Sequence, residues 1–137
     1  MPKIDVAFIF LSVVCLMIGL VLGIGMGASH NFQLAPVHAH LNLLGWASLA
    51  LFGLIYRAYP ALTRSWLAKL HLWLSGVAAL AFPAGIYVSI TYEKPMLAIL
   101  MSLVALAGVI TFFLNLIRVF FFVPEASATE SPARSLA

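Results

Sequence analysis

Charge is nearly missing from this sequence: 8% of its 137 residues are Asp, Glu, Lys or Arg, against 64% hydrophobic residues. Soluble domains hold about a quarter charged and about half apolar residues, so a water-soluble core cannot absorb this balance. No charged side chain occurs from Val6 to Tyr56, from Leu70 to Tyr92, or from Pro95 to Ile117. Cysteine is limited to Cys15, which excludes an intrachain disulfide and suits a small apolar packing role inside the first hydrophobic run. The seven basic residues stand singly rather than in a tract, which argues against nucleic acid as a partner. Cys-x-x-Cys, His-Glu-x-x-His and nucleotide-loop motifs are missing. The acidic residues Asp5, Glu93, Glu125 and Glu130 all fall at or beyond the ends of the apolar runs, so a carboxylate proton relay has no members.

What is present is four apolar segments, each about the 20 residues that span a bilayer. They run approximately over 4–27, 37–59, 66–90 and 96–123. The breaks between them have local causes: Gly27 to Asn31 with Pro36, then Pro60 and Thr63-Arg64-Ser65, then Glu93-Lys94-Pro95. The reading is an all-α integral membrane protein, an up-down bundle of four transmembrane helices over residues 1–123. In this layout Lys3, Arg57, Arg64, Lys69, Arg118 and Arg134 share one side and Lys94 alone the other. The excess of Lys and Arg on the cytoplasmic side puts both termini inside a bacterial-type plasma membrane. The first segment is too long for a signal-peptide core of about 7 to 15 residues, which favours its retention. Residues 124–137, with two prolines among small polar residues, read as a disordered cytoplasmic tail.

Gly19, Gly23 and Gly27 recur every four residues and form a stripe for close helix approach, within the bundle or between copies. Tyr56, Tyr59 and Trp66 are expected as interfacial anchors on the inner side, and Tyr87 and Tyr92 on the outer.

Three of the four histidines fall between Ser29 and Trp46. His38 and His40 open the second segment and, two residues apart, point about 200° from each other, so they cannot share one ligand directly. In a regular helix His38 shares a stripe with Asn42, Gly45 and Phe52, and His40 with Leu43, Leu44, Ala47 and Leu51. Imidazoles at membrane depth are costly, and neutral imidazole ligates iron, copper and zinc, so the pair is a candidate metal or haem site. The plainer alternative has both rings at headgroup level, bonded to water, Asn31 or Gln33. His71, on the order of 15 to 20 Å away along the bundle, is expected to be structural, bonded to a helix carbonyl or Ser48.

The run Ser29-His30, Val37-His38-Ala39-His40 and Leu44-Gly45-Trp46 resembles the tenth transmembrane helix and preceding loop of subunit I of the haem–copper oxidases. The likeness is greatest to the cbb-type cytochrome oxidases and nitric oxide reductases. It continues through Gly53 to Pro60 and Leu67 to Leu74, covering Ser29 to about Ile90. The resemblance implies that His38 binds a high-spin haem and His40 a low-spin haem, or that one of the two sites alone has survived. It implies haem b as cofactor, with Asn42, Gly45 and Trp46 beside the ligands and homo-oligomers or respiratory-complex subunits as partners. In such a site Trp46 and Phe52 are expected to cover the macrocycle. The histidines that hold copper in that family, and the second axial histidine of its low-spin haem, have no counterparts here, so four-electron oxygen reduction by this chain alone is not expected. The resulting expectation is a haem-binding membrane protein handling electrons, a gas ligand or haem. The alternatives are a copper carrier or assembly factor using His30, His38 and His40, with Met26 as a soft ligand, and a structural subunit without a cofactor.

Overall fold

The computed structural model describes residues 3–122; the predicted tail lies outside the described residues. Among these there is no strand. Four helices are long and apolar enough to cross a membrane: α1 (Ile4–Ser29), α2 (Ala35–Ala58), α3 (Trp66–Tyr92) and α4 (Met96–Phe122). A bilayer is the solvent such surfaces require, because their large apolar side chains face outward along the bundle.

Local chemistry sets the ends. Pro36 stands in the first turn of α2, where its missing N–H costs nothing. The Ser65 hydroxyl accepts the Leu67 N–H at 3.2 Å and caps α3. His30 and Glu93 stop α1 and α3 in the left-handed region, at φ 52° and 56°. They mark the histidine end of the bundle. The opposite, loop end holds the short 3₁₀ turn Pro60–Arg64.

Within α2 the stretch Leu41–Ser48 winds as a π-helix. Ser48 Oγ donates to the Leu43 carbonyl at 2.8 Å, five residues back, as that widened winding permits. The predicted stripe still keeps to the α1 side: a Cβ on Gly23 or Gly19 of α1 would meet His38 or Asn42, one on Gly45 would meet Cys15, and the Phe52 ring stands 5.9 Å from that of Phe8. Phe52 also packs on His71 of α3. Pro83, inside α3, removes the N–H that would have bonded the Ala79 carbonyl. That carbonyl faces α2, 3.6 Å from where a Cβ on Gly45 would stand.

Two seams are very close. α3 runs along α4 with Gly85 against the Ala98 backbone, and a Cβ there would meet the Ala98 nitrogen at 2.7 Å. α1 meets α2 at Gly45, where a Cβ would meet Cys15 Cβ at 2.7 Å. Cys15 is buried, as expected for a small apolar side chain. Gly85→Val should therefore force α3 and α4 apart and cost about 1–3 kcal/mol or more, whereas Gly27→Val, with nothing within 4 Å, should be near neutral. Thermal unfolding of the two variants in one detergent checks this ordering.

Candidate functional site

His38 leaves α2 toward α1. Its Nδ1 donates to the Gly19 carbonyl at 2.9 Å, and a Cβ on Gly23 would strike the ring at 2.8 Å. The Asn42 amide donates to the His38 carbonyl at 2.8 Å and stands 3.4 Å from both ring nitrogens, over the ring face rather than in line with a lone pair. A Cβ on Gly19 would meet that amide at 2.7 Å. Two glycines of the predicted stripe thus seat His38 and Asn42 inside the chain, while Gly27 faces open space.

His40 leaves α2 in another direction, toward α3, where its ring meets the edge of Phe82 with centroids 4.9 Å apart. Its Nδ1 donates to the Pro36 carbonyl at 2.8 Å, a carbonyl near the helix start. The two histidines share one property. A carbonyl oxygen only accepts, so Nδ1 carries the hydrogen in both, and in the neutral ring the lone pair lies on Nε2. A metal-ligating imidazole is commonly held in this way, with its other N–H given to a backbone carbonyl.

The other predicted site residues are dispersed. Gly45 is buried beneath Cys15 and serves the α1–α2 seam, and Trp46 is 43% exposed on the outer face. His30 is exposed at the end of α1, and Met26 is buried. Among the described residues no three His, Cys, Asp or Glu side chains gather as a metal-binding group, so His30, His38 and His40 are not brought together.

His71 is the histidine that the sequence undervalued. It is wholly buried, and its neighbours come from every other helix: Phe8 of α1 at 4.9 Å, Phe52 of α2 at 4.5 Å and Phe112 of α4 at 5.0 Å between ring centroids. Its Nδ1 pairs with the Tyr56 hydroxyl at 3.1 Å, and Nε2 has no partner. Neither a helix carbonyl nor Ser48 bonds it; Ser48 is engaged with Leu43. Tyr56 is 1% exposed and belongs to this cage, not to an interfacial belt. One sequence signal was available: Tyr56 and His71 lie symmetrically about Thr63 and Arg64, so a hairpin turning there brings them to one depth. At the loop end, buried Asn115 donates to the Leu62 carbonyl at 2.9 Å and Arg118 to the Ala61 carbonyl at 2.9 Å, tying α4 to the 3₁₀ turn.

No family model, curated protein or solved structure matches this chain.

Removing the Tyr56 hydroxyl leaves both nitrogens of a buried ring unpaired. Tyr56→Phe should destabilise by about 1–3 kcal/mol, whereas adding His71→Leu to it removes the stranded group and should recover much of that loss. A double-mutant cycle on thermal unfolding reads the coupling.

Proposed function

We propose that this chain is a haem b-binding, multi-pass membrane protein that works as a homo-oligomer or with respiratory-complex subunits, handling electrons, a gas ligand or haem itself. The observation that carries the reading is the paired tautomer. His38 and His40 each commit Nδ1–H to a backbone carbonyl, at 2.9 and 2.8 Å, which leaves each Nε2 lone pair as the donor atom. The donor chemistry fits axial ligation of iron. Bound haem would supply one-electron or ligand-binding chemistry at its iron.

The chain's own residues do the positioning. The Gly19 carbonyl fixes the His38 tautomer, and the glycines at 19 and 23 give the ring and the Asn42 amide room beside α1. The Pro36 carbonyl and the Phe82 edge do the same for His40. Because the rings leave α2 toward different helices, a second copy or a partner chain is expected to complete the enclosure. Phe52 takes no part in covering a macrocycle, since it is committed to His71. The residue likeness to haem–copper oxidase subunit I supports the same reading, and the six-to-one Lys and Arg asymmetry supports cytoplasmic termini in a bacterial-type plasma membrane.

The test is an absorption spectrum of the protein extracted in mild detergent, before and after adding haem. A Soret band that shifts or weakens strongly in His38→Ala or His40→Ala is expected. No band after haem addition, or one indifferent to both changes, sinks the proposal. Stoichiometric copper without haem absorbance would favour the carrier, and full tolerance of the double change would favour a structural subunit.

A further inference from the structure

Ala39 stands between the two histidines on the first turns of α2, which are regular α-helix. In that winding each neighbour leaves the axis about 100° to one side of it, so Ala39 marks the middle of the face that His38 and His40 flank. His38 leaves toward α1 and His40 toward α3. Val37 and Leu41, on the opposite side of the helix, are buried. The flanked face continues from Ala39 through Leu43, 69% exposed, and Trp46, 43% exposed, so the rest of the chain leaves it uncovered.

Each flank carries half of an axial ligand pair. Nδ1 is engaged on both rings and Nε2 is the donor atom, and among the described residues no three His, Cys, Asp or Glu side chains gather around either. Because the rings diverge, one chain cannot place both imidazoles on one iron. Two copies can. Copies of a multi-pass protein cross the membrane in the same sense, so a two-fold axis relating them stands along the membrane normal, as α2 does. A half-turn about an axis in front of Ala39 sets the His38 flank of one copy opposite the His40 flank of the other, and does so again on the far side. The two rings of each pair then differ in depth by two residues, about 3 Å.

We propose that this face of α2 is a two-fold contact between copies of the chain, and that His38 of one copy and His40 of the other form the axial pair of each of two equivalent haem sites. The inference rests on the haem reading above and names the partner that completes it. Lipid on this face would offer neither Nε2 a partner. A copy docked on any other face would leave each histidine without its counterpart. Gly45, the glycine of this stretch, is turned to Cys15, so Leu43 and Trp46 set the spacing of the two α2 helices. Side chains of that size hold helix axes toward the wide end of the usual separation of about 8–10 Å, which keeps the flanks open.

The experiment is subunit complementation with the full chain. Two differently tagged genes, one carrying His38→Ala and the other His40→Ala, are expressed together, and heterodimers are purified through both tags in mild detergent. Each variant alone has one imidazole per site and should lose the spectrum of low-spin, six-coordinate haem. The heterodimer rebuilds one intact pair of the two and should recover about half the wild-type low-spin haem per chain. A second measurement needs no haem: Leu43→Cys, beside the axis, should cross-link copy to copy under mild oxidation, whereas Leu106→Cys, exposed on α4, should not, with the wild type and its buried Cys15 as control. A wild-type spectrum that is high-spin, or a heterodimer spectrum that is only the sum of the two variants, overturns the shared site and leaves the haem reading standing. Absence of a Soret band in the wild type overturns both. Cross-linking through Leu106→Cys instead of Leu43→Cys, or a native mass other than two chains, overturns the two-fold contact.

Discussion

The fold turns on one imidazole. His71 of α3 is enclosed by Phe8, Phe52 and Phe112, one ring from each of the other helices, with the Tyr56 hydroxyl 3.1 Å from Nδ1. In a bilayer no hydrophobic force distinguishes a protein neighbour from a lipid tail, so helix association rests on close packing and on polar groups that prefer each other to hydrocarbon. A ring facing lipid would forfeit its hydrogen bond, whereas this arrangement satisfies one nitrogen and surrounds the other with aromatic edges and faces. The cage fixes where α1, α2 and α4 stand relative to α3 with a single side chain. The loop-end bonds from Asn115 and Arg118 to the Leu62 and Ala61 carbonyls hold α4 in the same arrangement from outside.

Close contact elsewhere is secured by absence of bulk. Gly85 admits the Ala98 backbone, Gly45 admits Cys15, and Gly19 and Gly23 admit Asn42 and His38. The π-wound stretch Leu41–Ser48 divides α2 into two halves with different tasks. The half toward the loop delivers Phe52 and Tyr56 to the cage, and the half toward the histidine end directs His38 to α1 and His40 to α3. The π-wound stretch begins directly after His40.

The helices were legible because their causes are local. Apolar runs, Pro60, Ser65 and Glu93 sit beside the boundaries they impose, and the predicted 37–59 differs from Ala35–Ala58 by only a residue or two. The divergence of His38 and His40 was legible too, because it needs only helical geometry over two residues. What failed depended on contacts between helices. Periodicity put Phe52 on the His38 side, facing α1, but did not show that its ring also closes on His71 of α3. Tyr56 read as an interfacial anchor from its place near the inner end of the second apolar run, although burial against Phe8, with centroids 5.5 Å apart, is what places it. The glycine stripe was visible as a place for close packing, and two of its members serve it within the bundle, while Gly27 has nothing within 4 Å.

The histidine pair and an apolar cavity between α1 and α3 meet in one turn of α2. Val37 and Leu41, which line that cavity, flank His38 and His40 in sequence, yet neither imidazole lines it. The chain thus keeps two environments apart on a single helix: apolar side chains toward the α1–α3 gap, and imidazoles tethered by Nδ1, His38 to the Gly19 carbonyl of α1 and His40 to the Pro36 carbonyl of its own helix. Gly19 lies within α1, so the His38 ring is held across a helix seam, whereas Pro36 belongs to α2 itself and holds His40 on its own helix, with Phe82 of α3 against the ring. The orientation of His38 therefore depends on the α1–α2 seam, and that of His40 on the first turn of its own helix and on the Phe82 edge.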